Sequence, residues 1–205
     1  SREIGRLSFK AKGSGKSGLI STSRPGPEVM RRTAVEFTEK LLIVRFEVGF
    51  PANGRTINAQ ELEKILLDFL PQIVKKCLYY QAWDKRLVQE GFELAENQQK
   101  IREVLEERKL VAFCANGSIL PRKSGVSSQP LKDAVAFESP KSMELAIDLP
   151  FGGSIFGMGI PEGVTLIIGG GYHGKSTLLQ VLEQGVYNHV KGDGREYVIT
   201  RANAL

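Results

Sequence analysis

The spacing of apolar positions changes character several times along the chain. Thr33 to Phe37 and Leu41 to Val48 are β-branched and aromatic runs separated by Glu39-Lys40, a pattern that predicts an antiparallel hairpin. Gly49 to Gly54 follows as a turn-rich loop. From Asn58 the period becomes helical: Asn58 can cap, Glu61 falls three residues later as in a capping box, and Leu62, Ile65, Leu66 and Phe69 form one stripe. Pro71 is expected to end or kink that helix. Ile73 to Tyr80 and Asp84 to Lys109 continue as amphipathic helices, with Tyr79, Tyr80 and Trp83 expected to pack in the core. Leu110 to Ala115 reads as a short buried strand, and Met143 to Leu149, Gly153 to Ile160 and Val164 to Ile168 as successive strands closed by Pro150, Pro161 and Gly169. Helical spacing returns in Leu178, Leu179, Val181 and Leu182.

Composition adds little to this outline, whereas charge adds more. With 205 residues, 41% of them hydrophobic, the chain can bury a core as one large domain or two small ones, and collagenous and wholly disordered readings are excluded. No apolar run approaches the roughly 20 residues needed to span a bilayer, so a soluble protein of cytoplasmic or organellar address, without a membrane partner, is expected. Ser1-Arg2-Glu3 has neither an initiator Met nor the plan of a secretion signal, so a processed chain or a fragment is expected. Cys77 and Cys114 have no Cys or His at ligand spacing beside them and are expected to be small hydrophobes in a reducing compartment. Residues 1 to 135 hold 23 Lys and Arg against 16 Asp and Glu, while residues 136 to 205 hold 5 against 7. The change of sign coincides with the linker-like stretch from Pro121 to Pro130, and a domain boundary is expected near residue 137. The first 32 residues carry 8 basic against 2 acidic groups; Lys10, Lys12, Lys16, Arg24, Arg31 and Arg32 form a Gly- and Ser-rich arm that could neutralise RNA or DNA phosphates or simply face solvent.

The stretch that carries chemistry is Gly169-Gly170-Gly171-Tyr172-His173-Gly174-Lys175-Ser176-Thr177, which satisfies the phosphate-loop pattern of Gly, four residues, Gly, Lys and Ser or Thr. The pattern has meaning only after a strand and before a helix, and here the run Val164 to Ile168 precedes it and Ser176 to Val186 follows with helical spacing. Glycines let successive N–H groups turn toward a polyphosphate, and a helix N-terminus adds the positive end of its dipole. Lys175 would reach the β- and γ-phosphates of ATP, and the Ser176 hydroxyl would bind Mg²⁺. His173 is expected to face phosphate with its backbone N–H and not its ring. Gly13-Ser14-Gly15-Lys16-Ser17 looks similar, but its first loop glycine would fall at Lys10 and no helical run follows; it reads as an anion-binding turn or a flexible basic loop. Phe151 and Phe156, upstream of the loop, are candidates for stacking on adenine or for packing in the core. Leu145-Ala146-Ile147-Asp148 is a plain strand terminus in preference to a permuted Walker B acid, since Leu149-Pro150 follow it.

The string from Gly157-Met158-Gly159-Ile160-Pro161-Glu162-Gly163 into the loop, then Gly185-Val186-Tyr187-Asn188-His189 and Gly192-Asp193-Gly194-Arg195-Glu196, closely resembles the ATPases of the ABC class. The likeness extends to Lys12 to Gly18, to Gly49-Phe50-Pro51-Ala52 and to Leu120-Pro121-Arg122. The resemblance implies an α/β chain: an α+β family-specific N-terminal domain, residues 1–137, followed by the N-terminal part of an ABC-type nucleotide-binding domain, residues 138–205, without transmembrane segments. It also implies ATP and Mg²⁺ as ligands and a homodimer of the full-length protein. The Mg²⁺-sensing Gln, the signature sequence and a Walker B strand with its catalytic Glu, which hydrolysis in this class needs, are not found in Leu178 to Leu205, so a fragment of a longer protein, or one half of a site whose remainder lies elsewhere, is expected. The leading functional reading is an ABC-class ATPase whose basic domain couples nucleotide state to a partner. The alternative is a nucleic-acid-binding module with a regulatory or incomplete nucleotide site, and a small-molecule kinase is a more distant third.

Overall fold

The computed structural model describes residues 2–204 and divides them into two compact units, Arg31–Val88 with the N-terminal 25 residues, and Gln89 onward together with Gly26–Met30. In chain order the elements are α1 (Arg2–Leu7), β1 (Ile20–Ser21), β2 (Glu28–Val29), β3 (Val35–Phe37), β4 (Leu42–Val44), β5 (Glu47–Val48), β6 (Ala52–Asn53), β7 (Thr56–Ile57), α2 (Ala59–Glu63), α3 (Leu70–Cys77) and α4 (Lys85–Glu107). They are followed by β8 (Leu110–Ala115), β9 (Glu144–Leu149), β10 (Gly153–Pro161), α5 (Lys175–Gln184), β11 (Asn188–His189) and β12 (Val198–Thr200). The chain is of the α/β class, with helices and strands mixed in both units. The boundary expected near residue 137 lies inside the second unit, because β8 pairs with β10 across that stretch.

In the first unit a small core of Ile4, Ala11, Ile20, Ile65 and Ile73 ties the N-terminal segment to the helices. The expected hairpin forms between β3 and β4, but Glu47 and Val48 leave it and pair instead with β1, Val48 opposite Ile20. Residues 4–21 are therefore not a loose arm. The Lys12 N–H donates to the Glu61 carboxylate at 3.0 Å and the Gly18 N–H to the Gly49 carbonyl at 2.8 Å, while the side chains of Lys10, Lys12 and Lys16 stay in solvent. Asn58 caps α2 by accepting the Glu61 N–H at 3.3 Å. The reciprocal bond of a capping box is missing because the Asn58 N–H is already given to the Pro51 carbonyl at 2.8 Å, which leaves Glu61 for Lys12 and Lys64.

Pro71 does not end the helix. Residues 64–69 widen into a π-helical turn between α2 and α3, and Pro71 sits in the first turn of α3, where its missing N–H breaks least. Tyr79, Tyr80 and Trp83 are more than half exposed and do not form a core; the Trp83 indole N–H donates to the Cys77 carbonyl at 2.9 Å, so its ring is held by a polar contact.

The second unit is built on an antiparallel sheet of order β12-β8-β10-β9. Alternation along β8 explains why the strand is apolar throughout. Phe113 and Ala115 face Ile101 and Leu105 of α4, while Ala112 and Cys114 face Met158 and Val198 together with Val181 of α5. Burial on both faces leaves Cys114 as a packing residue and pushes its thiol up to about 12.

The long helix α4 also turns a polar edge inward. Asn97 exchanges two hydrogen bonds with the Phe151 backbone, at 2.9 and 3.0 Å, and Gln98 donates to the His189 and Glu196 carbonyls at 2.9 Å. Arg102 donates to the Thr200 carbonyl at 2.5 Å and to Asn188 at 2.8 Å. The bonds from Gln98 and Arg102 satisfy backbone carbonyls after α5 that would otherwise be buried without partners.

Candidate functional site

The phosphate-loop residues lie together at the N-terminus of α5. Gly174 is the N-cap residue in the left-handed conformation at φ 79°, which a side chain would strain, and the first bond back to the loop is Leu178 N–H to the Gly174 carbonyl at 2.9 Å. The N–H groups of Lys175, Ser176 and Thr177 consequently have no acceptor inside the helix and point out of its end. Tyr172 is also left-handed, at φ 63°, and its ring stands in solvent. The Lys175 ammonium donates to the Gly170 carbonyl, which folds the cation back over the loop. The His173 ring lies against Gly170, whose missing Cβ would otherwise sit 3.2 Å from the imidazole, so the ring packs on loop backbone. Ser176 occupies the first turn of α5 with its side chain exposed.

The strand expected to lead into this loop is not formed. Val164 to Ile168 is irregular and largely exposed, Ile168 at 79%, because among the described residues no strand is paired with it. A β-branched run supplies propensity, but a strand also requires a neighbour for its N–H and C=O groups.

A groove of about 670 Å³ opens beside the loop. One side is Tyr172 to Lys175 and the other is the segment 120–137, from which Leu131, Asp133, Val135 and Phe137 reach it. Neither Phe151 nor Phe156 lines it. Phe151 meets Phe92 edge to face with centroids 6.2 Å apart, and Phe156 is on β10. Asp148 accepts the Ser154 hydroxyl at 2.5 Å on the exposed edge strand β9, as a strand-terminal acid does.

Behind the groove the segment is anchored by charge. Arg122 grips Asp193, one guanidinium nitrogen on the carboxylate and one on the carbonyl, both at 2.7 Å, and His189 Nδ1 meets the same carboxylate at 2.7 Å. Burial works to raise the Asp193 pKa, but the bonds from His189 and Arg122 outweigh it and hold the carboxyl below its ordinary range. Arg195 is fully buried beside them, donating to the Leu120 carbonyl, and burial draws its pKa down to about 10. The strings 120–122 and 192–196 stand out in the sequence, but that they meet is a tertiary fact.

Two family models cover nearly all of this architecture. The P-loop domain of the ABC-class ATPases matches residues 84–205, and the N-terminal domain described as ATPase of the ABC class N-terminal matches residues 1–81. The chain belongs to the ATPases of the ABC class. A curated relative, an uncharacterized protein of Methanocaldococcus jannaschii, is 37% identical over 112 residues, which cover 51% of this chain and 25% of the relative. This ABC-class chain thus spans a minor part of that relative's length. Its P-loop domain is a nucleotide-binding domain, and no helix among the described residues is long and apolar enough to cross a membrane.

Proposed function

We propose that this chain is the part of an ABC-class ATPase that takes up ATP with Mg²⁺ on Gly169 to Thr177, and that the N-terminal unit couples nucleotide state to a partner. The observation that carries the reading is the placement of the loop, in a P-loop domain, at the end of a 10-residue helix with Lys175 turned over its backbone. Backbone N–H groups of Gly170 to Ser176 would hold the phosphate oxygens, and Lys175 would offset the charge on the β- and γ-phosphates.

Among the described residues no cluster of three or more His, Cys, Asp or Glu could hold a metal ion by itself. A hydroxyl such as that of Ser176 is nevertheless the kind of single protein ligand that suits Mg²⁺, which keeps water and phosphate oxygens for its other positions. When bound, the ion supplies charge neutralisation at the phosphates; this chain's residues bind and orient. Completion of the site by a second copy, and hydrolysis, belong in this reading to the whole protein.

Titration with labelled ATP at fixed Mg²⁺ tests it. Lys175→Ala should weaken binding by more than about tenfold, whereas Lys16→Ala, in a turn without the helix, should leave it nearly untouched. Equal affinities for wild type and Lys175→Ala would sink the assignment.

A further inference from the structure

The groove beside the phosphate loop has two chemically different ends. At the loop it is lined by Gly174, Lys175 and Thr177, which suit phosphate oxygens, with Ile167 and Ile168 beside them. Away from it the wall is apolar, made by Leu131, Val135 and Phe137, with one acid, Asp133, among them. A bare polyphosphate has no use for such a wall, and a carboxylate would repel it. A nucleoside matches the wall, since it presents a flat apolar face together with hydroxyl and amino donors that a carboxylate accepts. The volume, about 670 Å³, is in the range of sites for molecules of nucleotide size.

The wall is held in place. The Phe137 N–H donates to the Ser118 carbonyl and the Gly117 N–H to the Phe137 carbonyl, both at 2.8 Å, while the Leu131 N–H donates to the Pro121 carbonyl at 3.0 Å. Arg122, one residue beyond Pro121, is locked on Asp193. Val135 is nevertheless 92% exposed and Leu131 is 39% exposed. Apolar side chains on a pinned backbone, left in solvent beside a phosphate loop, are what a base-binding surface requires. Phe151 and Phe156, the nearest phenylalanines upstream of the loop, do not reach the groove.

We propose that the segment 131–137 is the nucleoside-binding wall of the site, with Leu131 and Val135 packing on the base and Asp133 accepting from the ribose hydroxyls or a base amino group. This assignment rests on the phosphate-loop reading and deepens it.

The test compares two probes, ATP and inorganic tripolyphosphate, on the same chain with Mg²⁺ present. Wild type should bind ATP more tightly than tripolyphosphate. Leu131→Ala and Val135→Asn should each weaken ATP by about tenfold or more and, since neither adds charge, leave tripolyphosphate within about twofold. Val135 is exposed enough for its variant to fold, and an unchanged thermal transition verifies this. If wild type shows no preference for ATP, or if neither variant lowers ATP affinity, the wall is wrong while the phosphate loop stands. If Lys175→Ala leaves tripolyphosphate binding unchanged, the phosphate-loop reading fails and the wall falls with it.

Discussion

Asp193 shows how one side chain can hold two distant strings of sequence together. Its carboxylate is buried and takes Arg122 and His189, both at 2.7 Å, so removing Arg122 leaves a buried acid short of one of its two partners. Arg122→Ala should cost about 3 kcal/mol in urea denaturation, the usual penalty for breaking rather than replacing a buried pair. The pH dependence follows from the lowered pKa of Asp193. Its folded value lies below its unfolded one, so its contribution is fully present above the unfolded value, about 3.9 for an Asp, and is lost as pH falls through the folded value. Wild type should therefore lose stability as pH falls below about 3.9, the unfolded Asp value, and Asp193→Asn should lose less over the same range. None of these partners is legible from residue type. An acid in a Gly-Asp-Gly string reads as a turn until Arg122 is placed against it.

At the scale of elements, the basic Gly13–Ser17 stretch is a structural turn in the first unit. The Ser17 hydroxyl donates to the Ser14 carbonyl at 2.5 Å and accepts the Ala52 N–H at 3.0 Å, so its polar capacity is spent inside the unit. Gly49 passes so close to this turn that an added Cβ would lie 1.9 Å from the Lys16 carbonyl oxygen, and backbone cannot move aside cheaply. Gly49→Ala should cost about 3 kcal/mol or more, the upper range for overpacking, and lower the thermal midpoint clearly. Gly15→Ala should cost only about 1 kcal/mol, because Gly15 has open space around it and merely the φ of +61° to strain. The helix around Pro71 teaches a related lesson. Proline chemistry predicts a break, but the apolar stripe through Ile65 and Ile73 is buried in one core, and a π-turn keeps both residues on it.

Across the whole molecule, protection should be very uneven. Backbone of β8, paired on both sides and buried between two helices, should show the slowest amide exchange, while the amides of Val164 to Ile168 should exchange close to the rate of an open chain. Hydrogen exchange read by mass spectrometry checks this, and protected amides at 166–168 would show that the run is paired. By itself the sequence determined the elements whose cause is local or periodic. The hairpin at β3 and β4, the cap at Asn58, the buried run of β8 and the pattern from Gly169 to Thr177 all follow from propensity and spacing. Only the tertiary structure decided what those pieces touch. It ties the basic N-terminal residues into a unit, and among the described residues it leaves Val164 to Ile168 without a strand neighbour. It also sets Leu131 and Val135, rather than Phe151 and Phe156, beside the phosphate loop. The physical reason is that helix caps and apolar stripes are satisfied within a few residues of one another, whereas strand pairing, ion-pair anchoring and the walls of a groove need partners that are distant in the chain and leave no periodic mark on it.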